Sequence, residues 1–149
     1  MKITAFMLLV SSFLFACGGH PGTDASLVWR GRNAQDELAM QEAIEEWNHV
    51  CGFHLSMSPD GETPVYYNQH LPQGVGAHTR TEGLVTDIQY NVPTREEFAH
   101  ELEHLMGVHG HSTDPKALMF GGNDAQPYLD RQAHVKEEDC NRVRKANSP

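Results

Sequence analysis

Three polar side chains, about two thirds of the way along the chain, have the types and spacing needed for metal chemistry. His100, Glu101 and His104 form the pattern H-E-x-x-H. On a helix, the two imidazoles point within roughly 40° of each other, so both can bind one metal ion. Glu101 lies about 100° around the helix from His100, so we expect its carboxylate to reach a metal-bound water without binding the metal.

A catalytic zinc ion takes three protein ligands, and the H-E-x-x-H pattern supplies two of them. The third must come from beyond Gly107. Two histidines are available there, His109 and His111, with Gly110 between them. The residues alone leave both candidates open.

The surrounding sequence predicts that the first two histidines lie on a helix. Thr94 and Glu97 form a capping box, and Gly107 stands where a left-handed residue ends a helix. We therefore predict a helix over about residues 95–106. Its apolar residues fall on the side opposite the two histidines, which predicts one buried face and one face that holds the metal: Phe98, Leu102, Leu105 and Met106.

The run HSTDPKALM at residues 111–119 resembles the third-histidine and methionine-turn stretch of matrixin-like metzincins. These zinc metallopeptidases carry the signature H-E-x-x-H-x-x-G-x-x-H followed by a turn with a buried methionine. The positions shared with that signature are His100, Glu101, His104, Gly107, His111 and Met119. The resemblance implies that Met119 lies beneath the metal.

The chain departs from this signature in one spacing. The family has two residues between the glycine and the third histidine. Here one residue lies between Gly107 and His109, and three lie between Gly107 and His111. We favour His111 as the third ligand, because the sequence that follows it matches the family and Gly110 can absorb an extra residue in a loop. His109 remains the alternative.

The resemblance implies an α+β fold, a small metzincin-like (zincin) domain. Such a domain has a twisted, mostly parallel sheet of four to five strands with an antiparallel edge strand, and three helices. Alternation and β-forming residues place strands near residues 27–30, 53–57, 65–67, 74–80 and 84–90. The turn residues 58–61 alone favour a hairpin, but the resemblance implies two parallel strands with the first strand between them, and we follow the resemblance.

The other two helices are predicted from caps and periodicity. Asn33 caps the first helix and Gly52 ends it. Its acidic side chains, Asp36 and Glu46 among them, are interpreted as a solvated face. The last helix covers about residues 136–146, with acidic residues in its first turn and basic residues in its last turn.

The N-terminal residues are typical of an exported bacterial protein. Residues 1–16 form a signal peptide, with an apolar run too short to span a bilayer behind Lys2. Cys17 ends a segment that resembles a bacterial lipobox, so we predict that it is lipidated and anchored to the cell envelope, with the outer membrane favoured. Plain secretion is the alternative. Residues 17–26 form the lipidated cysteine and a tether, and residues 27–149 form the peptidase domain.

With Cys17 lipidated, the chain retains an even pair of cysteines, Cys51 and Cys140. Both fall on predicted helices, and an exported protein is in an oxidising compartment. We therefore expect a disulfide between them.

Charge and length limit the kinds of partner. The 149-residue chain has a formal net charge of −9, which disfavours nucleic acid and anionic lipid surfaces as partners. We expect a monomer with one core, attached to the membrane only through its lipid anchor.

The resemblance implies a zinc-dependent endopeptidase with one catalytic Zn²⁺, held by His100, His104 and His111. Its substrate is a peptide or protein, and Glu101 is the general base for a metal-activated water. The alternative is a non-catalytic zinc-binding lipoprotein of the cell envelope, suggested by ten histidines and the irregular spacing of the third ligand. Glu101 argues against that alternative, because a purely binding site has no use for a carboxylate at that position.

Overall fold

The computed structural model describes residues 22–82, 85–114, 116–121 and 133–149. The predicted signal peptide, residues 1–16, and Cys17 lie outside these ranges. Among the described residues, no helix has the length and apolar character to span a membrane.

A five-stranded sheet forms one layer of the domain. Its spatial order is β2-β1-β3-β5-β4, in which β4 is antiparallel to β5 and the other neighbours are parallel. The strands are β1 (Ser26–Arg30), β2 (Ser56–Met57), β3 (Thr63–Tyr67), β4 (Ala77–Glu82) and β5 (Val85–Tyr90). The predicted α+β class and the mostly parallel sheet with an antiparallel edge strand are confirmed.

The strands on either side of β1 decide between the two arrangements expected for residues 53–67. Both β2 and β3 pair with β1 in parallel, Leu27 facing Met57 on one side and Thr63 on the other. The local hairpin rule is therefore wrong for residues 58–61, which carry the chain from one side of β1 to the other. The second strand is also shorter than predicted, because the side chain of Asn48 occupies both the N–H and the carbonyl of Leu55 at 2.8 Å.

Three helices lie in the described part of the chain, with the caps that the sequence predicts. They are α1 (Ala34–Cys51), α2 (Arg95–Leu105) and α3 (Glu137–Ala146). Asn33 accepts from the Asp36 N–H at the start of α1, and Gly52 ends that helix with φ 68°. At the start of α2, the Thr94 hydroxyl accepts from the Glu97 N–H at 3.2 Å.

The hydrophobic core lies between the sheet and the helices α1 and α2. The indole N–H of Trp47 on α1 donates to the Ala99 carbonyl on α2 at 3.0 Å, so the two helices are joined by a buried hydrogen bond as well as by packing. This contact fixes α2 from its apolar side. The opposite side of α2 is the one that carries the histidines.

Two acidic residues of α1 correct the interpretation of its acidic side chains as a solvated face. Asp36 is 3% exposed and accepts hydrogen bonds from Arg32 at 3.0 Å and from the Tyr90 hydroxyl at 2.9 Å. Glu46 accepts from Arg95 and from the Val135 N–H. Both carboxylates tie α1 to distant parts of the chain, which periodicity on one helix does not reveal.

Residues 23–25, at the end of the predicted tether, form hydrogen bonds with the segment that leads into β2. Ala25 is 2% exposed, and its carbonyl accepts from the Ser56 N–H at 2.9 Å. The Thr23 carbonyl accepts from the His54 N–H at 2.9 Å. The end of the predicted tether therefore pairs with the segment that leads into β2.

Helix α3 is held against the rest of the domain by a covalent bond and by ion pairs. Cys51 and Cys140 form a disulfide with a Cα–Cα distance of 5.3 Å. Arg142 donates to Glu103 on α2 at 2.9 Å and also to Asp139 on its own helix. Since Glu103 is the neighbour of His104, α3 braces the helix that carries the metal pattern.

We predict that stability falls as the pH rises through the range in which Glu103 ionises in the folded protein. Burial raises the pKa of Glu103 from 4.5 to about 7, although Arg142 opposes the shift. Between these pKa values the folded state retains a proton that the unfolded state has lost, so the free energy of unfolding declines with rising pH. Urea denaturation at pH 5.5 and pH 8 measures the decline.

Glu103→Gln removes this titration and should make the decline smaller. The matched control is Glu138→Gln, because Glu138 is exposed on α3, the helix whose Arg142 pairs with Glu103. An equal decline in wild type and Glu103→Gln would show that the buried carboxyl does not contribute.

Candidate metal centre

Helix α2 places His100, Glu101 and His104 in the predicted relation. His100 and His104 lie one turn apart, with ring centroids 4.8 Å from each other. His100 is 8% exposed and Glu101 is 4% exposed, so both are enclosed by the fold.

A backbone carbonyl fixes each of these two imidazoles. His100 Nδ1 lies 2.9 Å from the Leu118 carbonyl oxygen, and His104 Nδ1 lies 2.6 Å from that of Val108. A carbonyl oxygen can only accept, so we infer that each Nδ1 carries the proton. In the neutral rings, each Nε2 then presents a lone pair, which is the form that binds a metal.

The exit from α2 turns the chain back towards its own last turn. Gly107 has φ 95°, which L side chains adopt only with strain, and its N–H donates to the His104 carbonyl at 2.9 Å. This turn places the Val108 carbonyl on His104 Nδ1. Gly110 has no left-handed φ and open space where a Cβ would be, so the extra residue before His111 does not depend on glycine.

The turn at residues 118–121 contacts His100 directly and His111 through its neighbour Ser112. Its Leu118 carbonyl contacts His100, and its Met119 carbonyl accepts from the N–H of Ser112, the residue after His111. The Gly121 N–H donates back to the Ser112 carbonyl at 3.1 Å. A Cβ on Gly121 would come within 2.7 Å of the His111 Cβ, so the chain passes His111 closely at this position.

The three histidines converge on one point through their Nε2 atoms. His111 Nε2 lies 3.2 Å from His100 Nε2 and 3.2 Å from His104 Nε2. In a tetrahedral zinc site with Zn–N bonds of about 2.0 Å, neighbouring nitrogens lie about 3.3 Å apart. The two distances to His111 therefore match a zinc site, and all three ligand atoms lie within 4.8 Å of one another. Among the described residues, they form the one group of histidine, cysteine or acidic side chains that could hold a metal.

Burial favours the neutral, metal-binding form of these imidazoles. Desolvation lowers the pKa of His104 below 6.5, against the hydrogen bond to Val108. Desolvation first, and the neighbouring His104 second, lower the pKa of His111. Both shifts favour the neutral ring, which is the form that binds a metal without first losing a proton.

Glu101 lies beside the three histidines without belonging to their group. Burial raises the pKa of its carboxyl, and hydrogen bonds from the side chain and backbone of Thr79 oppose the rise. Its Oε2 atom is buried and has no hydrogen-bond partner among the described residues. A buried carboxylate oxygen of this kind is suited to accept a proton from a water molecule at the metal.

The other predicted site residues have clear positions. His109 is exposed and lies outside the converging group, so the structure brings together the favoured ligand and not the alternative. Met119 is 1% exposed, in the turn that contacts His100 and Ser112. Sequence reasoning missed Thr79 and the carbonyls of Leu118 and Val108, because their contacts depend on how distant segments pack.

Comparisons with known proteins assign no family to this chain. No family model and no curated protein matches the sequence. Two solved structures of a GH20 exo-beta-N-acetylglucosaminidase from Vibrio harveyi, one in complex with N-acetylglucosamine and one an inactive mutant, share 20% and 18% identity. The matches cover 57% and 60% of this chain but only 12% and 14% of those chains, with TM-scores of 0.40 and 0.41. No inference about fold or function is drawn from them.

We predict that His111→Ala weakens zinc binding by about a hundredfold or more, whereas His109→Ala leaves it unchanged. The reason is that only the His111 imidazole reaches the other two Nε2 atoms. Competition with a zinc chelator at pH 7.5 measures both dissociation constants. A loss confined to His109→Ala would move the third ligand to that residue.

Alanine substitutions at Gly121 and Gly110 test whether the close approach of the chain to His111 matters for zinc binding. Gly121→Ala should displace His111 and weaken zinc binding by about tenfold, because the new methyl group meets the imidazole stem. Gly110→Ala adds the same methyl group to open space, so it should bind zinc as wild type does. Equal affinities in the two variants would contradict the close approach at Gly121.

Proposed function

We propose that this chain is a zinc-dependent endopeptidase of the metzincin kind, in which His100, His104 and His111 hold one Zn²⁺. The observation that carries the proposal is the convergence of three imidazoles beside a buried glutamate that is not part of the group. His111 Nε2 lies 3.2 Å from the Nε2 atoms of His100 and His104, and the three ligand atoms lie within 4.8 Å of one another. Three protein ligands leave a fourth position for water or substrate, as in catalytic zinc sites. A structural zinc site has four protein ligands and no position for water.

The chemistry assigned to each residue follows from its surroundings. Bound zinc supplies positive charge that acidifies a water molecule and polarises the scissile carbonyl. The Glu101 carboxylate takes the proton of that water, because its buried Oε2 has no other hydrogen-bond partner among the described residues. Glu101 then gives the proton to the amine of the leaving peptide. The carbonyls of Leu118 and Val108 keep His100 and His104 in the tautomer that binds metal.

The setting of the enzyme is part of the same proposal. The substrate is a peptide or protein, and the mature chain is an exported monomer anchored to the bacterial envelope through lipidated Cys17. The disulfide between Cys51 and Cys140 agrees with an oxidising compartment. Its contribution to stability is about 4.5 kcal/mol on the chain-entropy model.

The decisive variant is Glu101→Gln, which keeps the shape of the side chain but cannot take a proton. We expect turnover of a fluorogenic peptide library to fall by about a thousandfold. The zinc content should stay at one ion per chain, because Glu101 is not a ligand.

Glu42→Gln is the matched control, since Glu42 is exposed on α1. Its activity should equal that of wild type. Retained hydrolysis in Glu101→Gln would overturn the mechanism. A wild-type protein that binds zinc but cleaves no member of the library would favour a zinc-binding lipoprotein instead.

A further inference from the structure

A general base must be held in place, and burial alone does not orient the Glu101 carboxyl. The side chain is enclosed at 4% exposure, and its Oε2 has no hydrogen-bond partner among the described residues. A glutamate has three side-chain torsions, so an unheld carboxyl can rotate away from a reacting water.

Thr79 on the edge strand β4 is the residue that meets Glu101. Its hydroxyl donates to the Glu101 main-chain carbonyl at 2.9 Å, across 22 positions of sequence. The side chain and backbone of Thr79 also lower the pKa of the Glu101 carboxyl, against the rise that burial causes. A single strand residue therefore bonds the backbone of the proposed base and influences its carboxyl.

The strand behind Thr79 is firmly placed. Thr79 is in register with Ile88 of β5, which is fully buried in the core. Ala77, two residues earlier on the same face of β4, is 6% exposed and pairs with the buried Tyr90. Thr79 thus transmits the position of the sheet to Glu101 through a hydrogen bond of 2.9 Å.

We infer that Thr79 is a positioning residue for Glu101: the bond from the Thr79 hydroxyl to the Glu101 main-chain carbonyl fixes the point from which the carboxyl reaches the substrate water. This inference rests on the proposed peptidase function. Thr79 touches neither zinc nor the reacting atoms. Its loss should therefore slow the chemical step and leave zinc binding and the binding of substrate in place.

The test compares Thr79→Val with Thr79→Ser in the zinc-loaded full chain. Valine keeps the branched shape but removes the hydroxyl, whereas serine keeps the hydroxyl. Thr81→Val is the matched control, because Thr81 lies on the same strand and its exposed hydroxyl pairs with Thr86 at 3.1 Å. We measure kcat, KM, the zinc dissociation constant and the midpoint of thermal unfolding of the metal-free protein.

Thr79→Val should lower kcat by about tenfold, with KM and zinc affinity unchanged and the thermal midpoint lowered only by the few degrees that one lost hydrogen bond costs. Thr79→Ser should restore kcat, and Thr81→Val should not change it. An unchanged kcat in Thr79→Val would overturn the inference. So would a parallel loss of zinc affinity, or a serine variant as slow as the valine variant, since either result indicates a merely structural role.

A second readout separates this inference from the peptidase proposal. Acetohydroxamate binds zinc through two oxygens and shares its proton with a neighbouring carboxylate, so its affinity reports the position of Glu101 without any substrate. In Thr79→Val, the inhibition constant of acetohydroxamate, or its dissociation constant measured by calorimetry, should rise by about tenfold. Thr79→Ser should restore the wild-type affinity. If wild type cleaves no peptide, equal affinities in wild type and Thr79→Val would still refute the positioning role.

Discussion

The candidate metal centre depends on the short turn at residues 118–121, which contacts both His100 and the residue after His111. Within it, the Leu118 carbonyl accepts from His100 Nδ1, and the Met119 carbonyl accepts from the N–H of Ser112 beside His111. A helix alone aligns His100 and His104, but it cannot supply a third imidazole. The turn joins the helix to the loop that can, and His111 Nε2 then lies 3.2 Å from the Nε2 atoms of both His100 and His104.

The rest of the fold keeps α2 in place from three directions. Trp47 of α1 donates to Ala99 on the apolar side, and Thr79 of β4 donates to Glu101 at 2.9 Å on the side of the sheet edge. Arg142 of α3 pairs with Glu103, next to His104. Helix α3 is itself fastened to the end of α1 by the disulfide. A small domain with one core can hold a rigid centre in this way.

The features that the sequence predicted well are governed by neighbouring residues. Thr94, Asn33 and Gly52 cap or end their helices as expected, because capping needs only residues within one turn. Strand pairing on both sides of β1 came from the resemblance, since the turn chemistry of residues 58–61 favoured the wrong hairpin. Burial of Asp36 against Tyr90 and the contact of Thr79 with Glu101 join residues far apart in sequence, and no local pattern marks them.

The most direct test of the central claim is X-ray absorption at the zinc edge on the full chain loaded with one equivalent of zinc. A catalytic centre built from His100, His104 and His111 gives three imidazole nitrogens at about 2.0 Å and one oxygen from water. Four protein ligands, with a further imidazole in place of the oxygen, would show a closed structural site. That result would contradict the peptidase proposal, because no position would remain for the water that Glu101 deprotonates.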